Sequence, residues 1–476
     1  MTAVTGHSDT ACRKCVPQCR HRTPGSLLFC RKHTTTRDSG TKQTKDSFTN
    51  AQLLGGHRSS RVPRHELRNV LEGNMDANNR VAIIGAGPVG LTAALGLAQR
   101  GVPCVIYESL RTIPREQRGA AFHPPTLEML HKLGVGKPLM QMGLRVSTWQ
   151  MRDRVDGVYA EFDLGLLADV TDFPFRFHLP QHYLSAILLD ELRRRPNVEI
   201  RFGETLESIE PEADSVRLVF ATAGGPRETT APWVVGADGA HSTVRKNAGF
   251  SFHGFTWQEK FLVTNVCNPL ETLGYTGTTY VSDPDAWAVV LKLYDEQRDD
   301  LWRVAMPAAA DIEDSVLLEP ESVQRRLRET LGSEMPFSLA YSGTYRVHQR
   351  VADSFVKGRV ILAGDAAHIN NPIGGFGLNG GVHDACNLAP RLADVWHGRT
   401  GSEALHLYSR QRRTVALEVV QKNSIRNKKL MDERDPEARR RNQQVLRSIS
   451  LDPEKSREYL METSMLSAVV SAEQIR

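Results

Sequence analysis

Arg80-Val-Ala-Ile-Ile84-Gly85-Ala-Gly87-Pro88-Val-Gly90, followed by Leu91 to Arg100, Gly101 and Val102 to Glu108, is the stretch that decides the fold. The apolar run 80–84 reads as a buried parallel strand. Leu91 to Arg100 is Ala/Leu-rich and reads as a helix that Gly101 stops. Val102 to Tyr107 supplies a second strand, ending at Glu108, so the whole is a βαβ unit. Each glycine has a separate task at this spacing. Gly85 permits the tight turn, Gly87 leaves the backbone open to a pyrophosphate, and Gly90 lets the helix pack closely. The helix amino terminus then offers N–H groups and a partial positive charge to an anion.

Glu108 lies 23 residues after Gly85, where an acid accepts hydrogen bonds from ribose hydroxyls. An acid there favours an unphosphorylated ribose, hence FAD or NAD over NADP at this site. The choice between those two is made downstream. Gly358 to Ala363 reads as another short strand, and it runs into Gly364-Asp365-Ala-Ala-His368. Asn370-Asn-Pro372-Ile-Gly374-Gly375-Phe-Gly377-Leu-Asn379-Gly380-Gly381 follows, then a helix from about Val382 to Trp396. An acid at a strand end can hold a ribityl hydroxyl. A glycine-rich turn brings backbone N–H groups against a flat, electron-accepting ring, and a helix terminus stabilises negative charge on it. Between the two motifs stands Val234-Val-Gly236-Ala-Asp238-Gly239-Ala-His-Ser242-Thr-Val-Arg245. Here Asp238 caps the turn and Gly239 is read as allowing close backbone packing.

The composition is that of a globular chain: 40% of the 476 residues are hydrophobic and 24% charged. Apolar stretches break well before the ~18 residues a membrane span needs. The net charge of +5 is unevenly placed, because residues 1–74 carry +8 and the remainder −3. The bulk of the chain therefore gives no electrostatic reason to bind nucleic acid. Residues 1–77 are basic, polar and aperiodic, and read as a disordered extension; a targeting segment and translated upstream sequence are the other readings. Cys12, Cys15, Cys19 and Cys30 with His21 and His33 suggest zinc, but their irregular spacing argues against it, and no metal is expected. The other cysteines, Cys104, Cys267 and Cys386, make no disulfide framework and point to a reducing, cytoplasmic compartment.

Together the three glycine-bearing motifs resemble, over about residues 78–420, the class A flavoprotein aromatic hydroxylases, the family of para-hydroxybenzoate hydroxylase and phenol hydroxylase. The resemblance implies an α/β fold. A Rossmann-like FAD-binding domain (78–144, 181–251 and 346–400) would interleave with a β-sheet substrate domain (145–180 and 252–345), with helices over 401–476. It implies FAD, with NADH or NADPH as co-substrate, and hydroxylation of a small phenolic or N-heteroaromatic compound by O2 through a flavin C4a-hydroperoxide. Gly85, Gly87, Pro88, Gly90 and Glu108 would bind the ADP half. Arg118 and Gln181 resemble family residues that contact the cofactor. Asp238 is implicated in cofactor handling, Asp365 in holding the ribityl or pyrophosphate part, and Gly375 and Asn379 in the loop beside the ring. His241 departs from the arginine often found at its position, and the long carboxy-terminal domain of phenol hydroxylases is not expected from the helical, Arg-rich reading after Leu405.

The catalytic group is not legible from the sequence. Tyr280, His253 and Pro372 are candidates, and His178 and Arg303 also fall in the β-rich substrate segments. His123 and His368 lie inside cofactor motifs, where local hydrogen bonding competes with proton transfer. A flavin-binding electron carrier or redox sensor is the rival from another class. An epoxidase or ubiquinone-pathway hydroxylase is the rival on the same scaffold. The six tryptophans never form the Trp-x-Trp element of flavin-dependent halogenases. A homodimer is entertained for the assembly.

Overall fold

The computed structural model describes residues 79–114 and 119–476. The amino-terminal extension, its cysteine cluster and Arg118 lie outside the described residues. Strand β1 (Val81–Ile84) is buried along its whole length, as its unbroken apolar run requires of a strand covered on both faces. It sits inside a six-stranded sheet. The order is β5 (Val356–Lys357), β6 (Val360–Leu362), β4 (Trp233–Gly236), β1, β2 (Cys104–Glu108), β3 (Val198–Phe202). All pairs are parallel except β5 with β6 at the edge. The register aligns the strand ends, with Ile84 opposite Gly236 and Gly236 opposite Leu362. The turns leaving β1, β4 and β6 therefore emerge side by side, at the carboxyl edge where open α/β sheets bind ligands.

Helix α1 (Pro88–Ala98) starts with proline inside its first turn and ends before Gly101, whose φ is +76°. It crosses α4 (Phe376–Trp396) closely, because Gly96 has no side chain: a Cβ there would stand 2.7 Å from that of Ala389. Helix α4 begins at Phe376, six residues earlier than the glycine content suggested. Only Gly374 and Gly375 of the five glycines take positive φ, whereas Gly377, Gly380 and Gly381 are helical.

An eight-stranded sheet forms the second layer. Its order is His368–Ile369, Leu339–Ala352, Phe252–Cys267, Leu301–Ala308, Ala288–Lys292, Thr278–Ser282, Thr148–Asp153, Gly157–Asp163. Strand Leu339–Ala352 pairs with Phe252–Cys267 from end to end and so crosses residue 345, where the sequence suggested a boundary. Arg176–His178 pairs instead with Ala121–Phe122 and Leu144–Val146 in a separate three-stranded sheet. Helices cover 403–474, with one π-helical turn at Ala416–Gln421. The α/β class, the Rossmann-like sheet, the interleaved second sheet and the carboxy-terminal helices match the expectation. No helix among the described residues is long and apolar enough to cross a membrane.

Candidate functional site: a glycine cradle beside an aromatic chamber

Backbone hydrogen bonds tie the three turns together at their roots. Gly85 donates to Tyr107 O, Ala237 to Ile84 O, and Ala363 to Gly236 O, at 2.8–3.0 Å. Their glycines are then set by contact. Gly85 has φ +106°, and a Cβ on it would stand 2.5 Å from Ala237 O. A Cβ on Gly90 would overlap the carbonyl oxygen of Gly85. Val89 wedges into the third motif, where Cβ atoms on Gly364 and Gly381 would lie 2.9 and 2.5 Å from its methyl Cγ2. Gly380 and Gly381 are therefore glycines of close helix approach, not of a loop. Gly239 has open space around its missing Cβ and φ +79°, so a left-handed turn demands it and the packing role read from the sequence is corrected.

Gly87 differs from its neighbours. Nothing lies within 4 Å of the place its Cβ would take, and no side chain caps the helix that starts there. The open strip with its uncapped amides fits the pyrophosphate of a dinucleotide. Glu108 is buried; it accepts the Ala86 N–H at 2.8 Å and the Leu110 N–H at 3.0 Å, which holds the cradle from below. Asp238 accepts from Ser242 Oγ at 2.5 Å and from the Val244 N–H, and so caps the short helix α3 (Thr243–Asn247). Burial raises its carboxyl against those hydrogen bonds. Arg245 spans the second and third motifs by donating to Ala240 O and Ala366 O. Asp365 is exposed on the 3-10 turn Gly364–Ala366.

A contrast follows from these contacts. Gly90→Ala should destabilise the protein by ~1–3 kcal/mol through overpacking, with FAD lost in consequence. Gly87→Ala should leave the melting temperature of the FAD-free protein unchanged, because φ −72° and ψ 174° suit alanine, yet weaken FAD binding at least about tenfold. Thermal melts with and without flavin check both.

The glycine loop is fastened by groups that sequence reading left unresolved. Asn379 is fully buried, accepts the His123 N–H and donates to Ala121 O and Gly375 O, so its amide holds the loop itself. His123 Nε2 bonds Gly374 O at 2.8 Å, and that acceptor puts the proton on Nε2. Burial, helped by the nearby Arg176 charge, pushes His123 down to about 3, so the ring is a neutral fastener. Gln181 starts helix α2 (Gln181–Arg193) and accepts the Gly119 N–H, next to the undescribed Arg118. Behind the loop, Asp384 is wholly buried and binds three groups: the Gly364 N–H at 3.0 Å, His368 Nε2 at 2.8 Å and Arg412 Nε at 2.6 Å. Burial alone would raise that carboxyl, but the charges of His368 and Arg412 outweigh it and bring it down to about 2. Asn371, Gln349 and Ser424 complete the frame by tying the loop to the helix Lys422–Met431.

The loop opens onto a chamber walled by Trp149, Met151, Arg176, Tyr280, Gly374, Phe376, Asn427, Leu430, Met431, Tyr459 and Thr463. Of the three candidate catalytic residues only Tyr280 lies there; His253 and Pro372 are solvent-exposed and away from the chamber lining. His178 commits both ring nitrogens, to Lys292 O and Thr278 Oγ, and is a core residue. Arg303 donates to Asn265 within the sheet. The side chains leave about 20 Å³ in the chamber, against the ~150 Å³ of a cavity that holds benzene, so a ring must displace the wall to enter. A larger cavity of about 420 Å³ lies behind α4, against Arg100, Lys132 and Arg391. It includes none of the turn glycines, and the smaller chamber is the one that meets the cradle. Among the described residues no cluster of metal-ligating side chains occurs.

Comparison with known proteins finds the family described as FAD binding domain matching residues 78–423. Para-nitrophenol 4-monooxygenase of Pseudomonas sp. (strain WBC-3) is 34% identical over 83% of this chain and 97% of its own. 6-Hydroxy-3-succinoylpyridine 3-monooxygenase HspB of Pseudomonas putida (strain DSM 28022 / S16) is 33% identical over 81% and 98%. The crystal structure of p-nitrophenol 4-monooxygenase PnpA from Pseudomonas putida DLL-E4 superposes with a TM-score of 0.78 at 36% identity, covering 81% of this chain and 98% of that one. Aklavinone-11 hydroxylase, solved with FAD and aklavinone, gives 0.68 at 26% identity over 76% and 71%.

Proposed function

This chain belongs to the FAD binding domain family of flavoprotein aromatic hydroxylases, and from that premise we propose how its residues divide the work. The protein is an FAD-dependent monooxygenase that uses NAD(P)H and O2 on a small aromatic substrate. The relatives named for para-nitrophenol and for 6-hydroxy-3-succinoylpyridine favour a single-ring phenolic or N-heteroaromatic compound for this chain too.

In our reading the six-stranded sheet and its helices form the cofactor domain, and the eight-stranded sheet forms the substrate domain. Gly85, Gly87, Pro88, Gly90 and the amino terminus of α1 hold the pyrophosphate, and Glu108 holds the ribose. Gln181, Arg118 and Asp365 would contact the middle part of the cofactor, and Gly374, Gly375 and their neighbours would supply backbone beside its ring. Asp238 and Asn379 act by keeping these turns in shape. When bound there, FAD supplies hydride acceptance from NAD(P)H and the activation of O2 for transfer of one oxygen atom to the substrate ring. The aromatic side chains lining the chamber, Tyr280 and Tyr459 among them, orient that ring and keep water from it. The observation that carries the reading is the pairing, within one fold, of an open and uncapped glycine turn at Gly87 with an aromatic chamber that Gly374 and Phe376 of the third motif help to wall.

The test is NAD(P)H oxidation and oxygen uptake by the flavin-loaded protein in the presence of 4-nitrophenol, hydroxybenzoates and hydroxypyridines. At least one ring class should stimulate both several-fold and return with one oxygen added. Constant rates with every ring would instead match an electron carrier or redox sensor. A cytoplasmic location and a homodimer belong to the same proposal. The free thiols Cys104, Cys267 and Cys386 accord with a reducing compartment.

A further inference from the structure

Arg176 is a cation that no described carboxylate answers. It is 3% exposed, yet no Asp or Glu among the described residues pairs with it. Its guanidinium lies over the ring of Trp149, 4.9 Å from the centroid, and 5.8 Å from that of Tyr280. It donates one hydrogen bond, from Nη1 to Tyr280 Oη at 3.2 Å, and its Nε–H is buried without an acceptor. Stacking on aromatic faces offsets part of the cost of burying the charge but leaves donors of the fork unused. The groups that face it are Tyr280 and Tyr459, together with His123 and His178, which burial and Arg176 itself hold neutral. A buried fork with open donors matches a planar pair of oxygens or a single anionic one.

Resting on the reading above, we infer that the substrate enters this chamber as an anion, an aromatic ring bearing an ionised oxygen substituent that lands on the guanidinium of Arg176 and the hydroxyl of Tyr280. The ring itself enters the chamber beside Tyr280 and Tyr459, and its charge supplies the partner that the described residues withhold. Arg176 is then a specificity residue, selecting against neutral rings by leaving a charge unpaired when they bind.

The test is equilibrium binding to the FAD-loaded protein, followed by the flavin absorbance change, with 4-nitrophenol and its neutral methyl ether, 4-nitroanisole, as probes at pH values on both sides of the phenol's ionisation. The intact protein should bind the phenolate at least tenfold more tightly than the ether, with affinity rising as the phenol ionises. Arg176→Gln should lose that preference and the pH dependence, whereas Arg176→Lys, which keeps the charge without the fork, should retain the preference at lower affinity. Flavin content reports whether each variant is folded. If Arg176→Gln does not fold, Tyr280→Phe should weaken phenolate binding and leave ether binding as it was. Equal binding of both probes, or a Gln variant that still prefers the phenolate, overturns the inference. If neither probe nor any other ring stimulates NAD(P)H oxidation, the proposed function itself fails, a separate outcome.

Discussion

Asp384→Ala is expected to cost about 3–5 kcal/mol of stability and to release FAD, because it strands a buried guanidinium. Asp384 has no exposure, and Arg412 is 3% exposed. Removing the carboxylate leaves Arg412 charged in the core, and it also frees the Gly364 N–H that fixes the third turn. Asp384→Asn should be nearly as costly, since the amide keeps the shape but not the charge. Adding Arg412→Met to the alanine variant should recover part of the loss, because the stranded cation goes with it. Urea unfolding of the three variants measures the sequence; additive losses would refute the coupling. The pH window is far from neutral. The folded carboxyl, at about 2, lies below its ordinary value, so the contribution is complete above about pH 4 and is lost only as pH falls toward 2.

Mild acid should unfold the protein earlier, through a different set of groups. Burial is the main reason that His123, His178 and His383 are pushed down, to about 3, 4 and 3 respectively. In the unfolded chain each regains its ordinary value near 6.5. Below that pH the unfolded state binds protons that the folded state refuses, so stability is whole above about pH 6.5 and falls as pH drops. One withheld proton is worth ~1.4 kcal/mol per pH unit, and three give a slope of up to ~4. Two pH units are then comparable with the ~5–15 kcal/mol that holds a whole domain together. Melting temperatures measured from pH 7.5 to 4.5 should fall steeply. His383→Gln, which can still bond Thr126, should remove about a third of the slope. A flat profile between pH 7 and 5 would contradict the burial argument.

What could be read in advance was local. The turn after β1 announces itself because strand, glycines, helix and acid all fall within 30 residues, each required by backbone geometry. The second and third turns were legible for the same reason. The jobs of individual glycines were not. Gly380 and Gly381 lie in a glycine-dense stretch that looks like loop, and only their neighbours in space, the His368 ring against Gly380 and a methyl of Val89, some 290 residues earlier, against Gly381, explain them as helix. The Asp384–Arg412 pair was invisible because two charged residues 28 apart on separate helices carry no sign of facing inward. The chamber was half visible: Tyr280 could be named from its β-rich segment. Trp149, Arg176 and Tyr459, however, meet it only through strand pairing and through the return of the last helices. His253 and Pro372 are candidates by residue type, and both side chains face solvent rather than the chamber.

The return of residues 422–463 to the chamber separates two kinds of inheritance along the chain. The parts that we propose grip the nucleotide are written between residues 81 and 381, whereas five of the eleven chamber walls are contributed by the two helices Lys422–Met431 and Pro453–Thr463. Appetite for a new ring can thus be acquired by editing the tail, with the redox engine left as it stands.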